Sequence, residues 1–473
     1  MTDLCFQPAY QLRKQLLSKD LSARELLAAY EQRIEYHNST INALVTLDFE
    51  QAYRAAQRAD DYLARTGEGL GSLHGLPYAV KDIFHVAGMR TTYGNLLYCD
   101  HVSTYDDLLV KREKAAGAVI LGKSNTPDCA SGGVTTNEVF GLTRNPWNHQ
   151  KTTSGSGGGG AAAIAAGLVS IADGSDVGGS VRTPAGWANC VGFRPSSGRI
   201  PDRPGSIADG GISTSGVFTR SVIDVALFMQ AVDGPNLQSA VNYPCIVNNP
   251  LTQADFSLDT LGTLPSGKVG LVTEFAGIDW SEDISKRMQE AQQVLQGLGL
   301  EVKVVGLGLG DAFRKLYADI DAYAVVDGLP EKVLSACLCG ESTKPSIQSA
   351  IERYMNLTSM DLLKIWNDVA ALKIRIQQLM REYPFLIFPT NASHAFDLDD
   401  VQAEQDCDWA TLYLAPMLGL PVVSVPAGFT NDGMPFGMMI TGQAGEDMTV
   451  LQLAAGFERE TEYYRQQPNF DLV

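Results

Sequence analysis

Polar and apolar positions along the first 70 residues fall at helical spacing. Ser22-Ala-Arg-Glu25 has the form of a capping box, and Leu26, Leu27, Tyr30 and Ile34 follow on one helix face. A second amphipathic run covers residues 48–66, and glycines at 69, 71 and 75 close it. Beyond this point short apolar runs at 78–80, 118–121, 168–172 and 190–193 alternate with helix-like or loop segments. Such alternation predicts an α/β domain built on a mixed or mostly parallel sheet. Residues 196–216, rich in Gly, Pro, Ser and Asp, read as loop, and a helix is expected over 220–232. Residues 234–266 are loosely patterned, with prolines at 235, 244, 250 and 265, and read as a surface excursion. A strand at 269–272, a helix at 282–298, a strand at 301–305 and helices to about 382 follow. Apolar runs at 385–388, 422–425 and 438–440 close the pattern, the last leading into a helix over 446–457.

There is no internal repeat and no clean linker. The expected architecture is α/β: a large mixed β-sheet core covered by helices on both faces. Residues 1–70 would form a helical segment packed on that core. Residues 71–473 would form the main domain, with a variable, partly helical region at about 234–400.

Charge narrows the possible partners. Against 36 Lys plus Arg stand 54 Asp plus Glu, a formal net charge of −18. That surplus repels nucleic-acid phosphates and anionic membrane surfaces, and there is no basic run to offset it. The opening residues MTDLCFQPAY lack the basic and apolar regions of a signal peptide, and the longest uncharged stretch is too weakly apolar to span a bilayer. Eight cysteines are scattered without a CxxC pair, as expected for reduced thiols in the cytoplasm. The six histidines show no ligand spacing, so no metal is expected.

Three segments carry candidate chemistry. The first is Thr153-Ser-Gly-Ser-Gly-Gly-Gly-Gly-Ala-Ala-Ala, which runs straight into an alanine-rich helix. Four glycines in an ordered place imply positive φ angles or something pressed against the backbone; the alternative is a flexible linker. A GxGxxG match at Gly155, Gly157 and Gly160 lacks the preceding hydrophobic strand of a dinucleotide fold. No GxSxG elbow occurs in the chain.

The second segment is Asp176-Val-Gly-Gly-Ser-Val-Arg-Thr-Pro-Ala185. Two glycines before Ser180 would let successive N–H groups converge on one point, as an oxyanion hole requires. Pro184 suits the first turn of a helix beginning near Ser180, and a tight turn with Ser180 as N-cap fits equally well. Asp176 and Arg182 flank the loop and could pair to brace it. The third segment, Pro77-Tyr-Ala-Val-Lys-Asp82, ends an apolar run on a lysine. Lys81 is either a strand-end residue reaching for water or, if enclosed, a base that loses its proton readily.

Taken together, these segments resemble the amidase signature family. The resemblance also covers Gly122-Lys-Ser-Asn-Thr126, Phe140-Gly-Leu-Thr-Arg-Asn-Pro-Trp147, Val191-Gly-Phe-Arg-Pro195, Phe218-Thr-Arg-Ser221 and the stretch from Gly419 to Gly437. It implies the amidase signature fold, with Lys81 as base, Ser156 as bridging serine after a cis peptide, and Ser180 as nucleophile. Backbone N–H groups of Val177, Gly178, Gly179 and Ser180 would form the oxyanion hole. Ser131, Gly132 and Gly133 would line the acyl pocket, where Cys129 reads as packing, not as a nucleophile. The family usually reads Gly-Gly-Ser-Ser-Gly-Gly-Ser at the bridging serine; here Ser154 replaces the first glycine and Gly157 the following serine.

The implied activity is hydrolysis of a linear amide to an acid plus ammonia or amine, without a cofactor. The implied partner is a small-molecule amide, not nucleic acid or membrane, with a homodimer as the candidate assembly. Two other readings stand beside it: the amidase subunit of a glutamine-dependent tRNA amidotransferase, and an inactive amidase-like binding protein.

Overall fold

The computed structural model describes residues 4–201, 211–236, 255–278, 280–341 and 344–470. Parts of the loop expected at 196–216 and of the excursion expected at 234–266 therefore lie outside the described residues. Ser22 caps the helix Ala23–Ile41 in a full capping box: its hydroxyl accepts from Glu25 N–H, and the Glu25 carboxylate accepts from Ser22 N–H. Asp48 caps the helix Phe49–Thr66, which ends on Gly67 in the left-handed region.

Among the described residues thirteen strands follow the chain: β1 (Leu44–Leu47), β2 (Pro77–Lys81), β3 (Val119–Ser124), β4 (Arg144–Asn145), β5 (Asn148–Thr152), β6 (Ile171–Asp176), β7 (Val191–Arg194), β8 (Thr214–Thr219), β9 (Lys268–Val272), β10 (Glu301–Val305), β11 (Phe385–Pro389), β12 (Val422–Phe429) and β13 (Pro435–Thr441). β4 and β5 pair as a small separate ribbon, and the other eleven form one sheet in the order β1-β3-β2-β6-β8-β7-β12-β13-β11-β9-β10. Pairing is parallel for β3-β2-β6 and β11-β9-β10, and antiparallel through the middle.

Side chains alternate across this sheet, and each face has its own core. Phe385, Ile387, Val423, Val425, Met438 and Ile440 join one apolar cluster, with the helices Ala23–Ile41, Val222–Val232, Glu282–Gly297 and Asp447–Thr461. Leu386, Phe388, Val422 and Met439 join the other, with the helices Asp311–Gly328 and Ser359–Glu382. The fold is thus α/β, with helices on both faces of a large mixed sheet.

Most expected elements fall within a few residues of their observed bounds. The strand expected at 168–172 instead begins at Ile171 and runs on to Asp176. Gly167 turns left-handed after the helix Gly158–Ala165, and Leu168 N–H closes back on Ala163 O, so the chain straightens only afterwards.

Candidate active site

β2 runs through the buried middle of the parallel part of the sheet and delivers Lys81 at its end, with no exposed surface. Lys81 Nζ is hydrogen-bonded to Ser156 Oγ at 2.7 Å and to Ser175 Oγ at 3.0 Å. Its backbone N–H donates to Asp173 Oδ1 at 2.6 Å. Burial brings the ammonium pKa down to about 7, against the opposing pull of Asp173 and Asp176. Of the two readings of Lys81, the enclosed one holds.

The glycine run is not a linker. It forms the start of the helix Gly158–Ala165, buried throughout. A Cβ on Gly159 would lie 2.4 Å from Asn125 N, and one on Gly157 would lie 2.6 Å from Ser180 O and from the Phe218 ring. No side chain fits at either place. The Gly155–Ser156 peptide is cis. Ser156 O accepts from Thr126 Oγ1 at 3.0 Å, and Gly157 N–H donates to Ser180 O at 3.0 Å, so both serine-bearing segments are tied together. Ser154 is left-handed with φ 66°, and its hydroxyl donates to Thr183 Oγ1 at 3.0 Å, one hydrogen bond that a glycine would not make.

The loop after β6 is braced by one carboxylate. Asp176 accepts from Gly179 N–H and Val181 N–H, each at 3.1 Å, and from Arg182 Nη2 at 2.7 Å and Nε at 3.0 Å. Burial alone would raise this carboxyl, but Arg182, with Arg194 at 3.8 Å, overrides it and holds the pKa at about 2. The helix starts at Arg182 with Val181 in the cap position, so Ser180 precedes the cap and is not itself the N-cap. Asp176 accepts from the N–H of Val181, the residue that holds the cap position. Gly179 has φ 94°, and a Cβ on Gly178 would lie 2.4 Å from Tyr413 Oη. Of the four expected oxyanion donors, Gly179 N–H is engaged by Asp176. The N–H groups of Val177, Gly178 and Ser180 have no bonded acceptor among the described residues.

Ser131, Gly132 and Gly133 lie beside this centre. Gly132 O sits 2.3 Å from where a Gly155 Cβ would be, so that loop presses on the residue before Ser156. Ser131 O accepts from Lys344 Nζ at 3.2 Å, and Gly133 N–H donates to Glu404 Oε1 at 2.9 Å. Cys129 packs toward Val333 and Cys337, and burial pushes its thiol pKa up, away from the thiolate a nucleophile needs.

Sequence reasoning missed Ser175, Asp173, Lys344 and Glu404. A serine five residues before Ser180, at the end of a run as polar as Asp173-Gly-Ser-Asp176, was the one available signal for Ser175. Among the described residues no group of three or more His, Cys, Asp or Glu side chains could hold a metal ion, and no helix is long and apolar enough to cross a membrane.

The site thus joins a buried lysine and two hydroxyls to a segment tied to the glycine loop that ends in serine. Comparison with known proteins makes the class specific. The Amidase family model matches residues 25–451, and the chain belongs to the amidase signature family of amide hydrolases. It is 32% identical, over 100% of both chains, to a glutamyl-tRNA(Gln) amidotransferase subunit of Moorella thermoacetica. It is 30% identical to an acylamidase of Rhodococcus erythropolis, covering 98% of each. The structure of a bacterial aryl acylamidase of the amidase signature family superposes with a TM-score of 0.86, at 26% identity over 97% of this chain and 98% of that one.

Proposed function

We propose that this chain hydrolyses a linear carboxylic amide to an acid plus ammonia or amine, through an acyl-enzyme on Ser180. The observation that carries the reading is Lys81, fully buried with a pKa near 7, bonded to Ser156 within a segment tied to the Ser180 loop.

Neutral Lys81 takes the Ser156 proton as Ser156 takes that of Ser180, a relay open to a hydroxyl because it both donates and accepts. Ser180 Oγ attacks the carbonyl carbon, and negative charge gathers on the carbonyl oxygen. The oxyanion loop of Val177, Gly178, Gly179 and Ser180 receives it, chiefly through the three N–H groups that Asp176 leaves available. When the C–N bond breaks, the leaving nitrogen takes a proton from Ser156, which is restored by the Lys81 ammonium. Water then attacks the ester and gives its proton to Ser180 by way of the same pair.

The acyl group would lie against Ser131, Gly132 and Gly133. Lys344 and Glu404 reach that loop from the helical region at about 234–400 and just beyond it, which supports placing substrate choice there. A second reading, the amidase subunit of a glutamine-dependent tRNA amidotransferase, draws on the end-to-end similarity to the Moorella protein. Hydrolysis of simple amides by the isolated chain favours the first reading; a stable hetero-oligomer on purification favours the second. A fluorophosphonate probe should label the native chain and not Ser180→Ala. Equal labelling of both would remove Ser180 from its role.

A further inference from the structure

Against the loop that ends in Ser180 stands a phenol that the proposed reaction does not use. Asp176 fixes part of this loop by accepting the N–H groups of Gly179 and Val181. The two glycines also rest on two consecutive side chains, Leu412 and Tyr413. A Cβ on Gly179 would lie 2.8 Å from Leu412 Cδ1. One on Gly178 would lie 2.4 Å from Tyr413 Oη and 2.6 Å from Tyr413 Cζ. Both glycines are therefore in close contact with these residues and have no room for a side chain of their own.

Leu412 and Tyr413 are anchored from different directions. Leu412 O accepts from Arg182 Nη2 at 2.8 Å, the nitrogen that also donates to Asp176, so this residue is fixed to the brace of the loop itself. Tyr413 is fixed from outside: its hydroxyl donates to Asp321 Oδ1, on the helix Asp311–Gly328. Tyr317, one turn earlier on the same helix, places its ring 5.1 Å from the Tyr413 ring, centroid to centroid. One helix thus holds both the ring and the hydroxyl of Tyr413. Burial, with the Asp321 charge beside it, puts the Tyr413 phenol well above its ordinary pKa, so it stays a donor.

We propose that Tyr413, held by Asp321 and Tyr317, is a positioning residue that keeps Gly178 in place and so keeps the N–H groups of Val177, Gly178 and Ser180 aimed at the oxyanion. This inference rests on Ser180 being the nucleophile and on its loop receiving the oxyanion. A pair of glycines has no side chain with which to fix its own peptide planes, and N–H donors stabilise a developing charge only from a preorganised position. Asp176 supplies that constraint at Gly179, whose N–H it consumes. Tyr413 supplies it at Gly178 by packing, which leaves the Gly178 N–H available. The anchor of Tyr413 belongs to the helical region at about 234–400, so the region in which substrate choice is placed also reaches the loop that bears the nucleophile.

The test measures labelling of Ser180 by a fluorophosphonate probe over a range of probe concentrations, which separates the maximal rate constant from the concentration at half-saturation. The melting temperature of each variant is followed alongside. Tyr413→Phe keeps the ring and removes the hydroxyl. It should lower the maximal rate constant about tenfold, a fraction of the roughly 10²–10³ lost when an oxyanion donor is removed outright, with half-saturation moved by less than about twofold. Asp321→Leu removes the acceptor and should slow labelling to the same extent, and adding it to Tyr413→Phe should slow labelling little further. Asp321→Asn keeps an acceptor and should recover most of the rate.

A folded Tyr413→Phe with the wild-type maximal rate constant would overturn the proposal, as would a loss carried wholly by half-saturation. Asp321→Asn as slow as Asp321→Leu would remove the hydrogen bond as the anchor. Should Asp321→Leu not fold, Tyr413→Phe decides, since it deletes one oxygen and leaves the ring packed. If Ser180→Ala labels as fast as wild type, the nucleophile assignment itself fails. If Ser180→Ala is silent and Tyr413→Phe keeps its rate, only the role of Tyr413 is lost.

Discussion

Two lysines, Lys81 on β2 and Lys123 on β3, lie in neighbouring strands at the heart of the sheet, Val80 paired with Lys123 and Lys81 with Ser124. Both are fully buried, and burial lowers the pKa of both. What surrounds them differs. Lys123 Nζ has Asp82 at 3.7 Å, Thr91 Oγ1 at 3.1 Å and the Phe84 carbonyl, a set that answers a positive charge. Lys81 Nζ has two hydroxyls and, among the described residues, no carboxylate within salt-bridge distance. An enclosed ammonium with an anion in contact is a structural tie; one with only hydroxyls is a group that can give up its proton. Of the two, only Lys81 meets a serine segment tied to a glycine-rich loop.

The sharpest way to break this contrast is to remove each lysine in turn. Lys81→Ala should lower amide hydrolysis and fluorophosphonate labelling by about 10²–10⁴-fold, the usual contribution of a general base, with unfolding by denaturant little changed. Lys123→Ala should do the opposite. It strands Asp82 in the core, a loss on the order of 3–5 kcal/mol in denaturant titration, while the folded fraction keeps its labelling rate. Interchanged outcomes would exchange the roles of the two lysines.

The pH profile should be smaller in effect and equally pointed. If Lys81 is the base, only its neutral form can accept the Ser156 proton, and burial brings its pKa down to about 7. The rate constant for labelling should therefore rise about tenfold per pH unit below that value and level off above it. A rate that was flat from pH 5 to 8, on a chain still folded throughout, would mean that no group titrating near 7 serves as base.

How far the sequence discloses these roles depends on how local each cause is. The capping box at Ser22, the amphipathic run after Asp48 and the apolar strands near the C-terminus are short-range patterns, and they stand where they were expected. Lys81, Ser156 and Ser180 are singled out because several motifs stand in order, and the fold brings Lys81 to Ser156 while tying the Ser156 segment to Ser180 through the backbone. Glu113 is not legible: it stands in the charged run Lys111-Arg-Glu-Lys114, which reads as a solvated helix face. Only its long-range hydrogen bond from Tyr78 Oη shows it to be interior. The absent serine at 157 is explained in the same way, by a Phe218 ring 61 positions later occupying the space a Cβ would need. Packing partners far apart in the chain leave no periodic trace at either end.

The finest distinction concerns Ser175. A neutral lysine has two N–H donors and one lone pair. If Ser175 Oγ, at 3.0 Å, holds one N–H, the lone pair is turned toward Ser156, where the relay needs it. Removing that hydroxyl takes away one hydrogen bond of about 1 kcal/mol, and Ser175→Ala should slow labelling about fivefold on the high-pH plateau. Ser175→Thr retains the hydroxyl and should recover most of the rate. Since Lys81 keeps its buried surroundings in both variants, the acid limb should stay in place. A limb that moved with Ser175→Ala would make this serine part of what sets the lysine pKa, and a rate equal to wild type would leave Ser156 sufficient to orient Lys81 by itself.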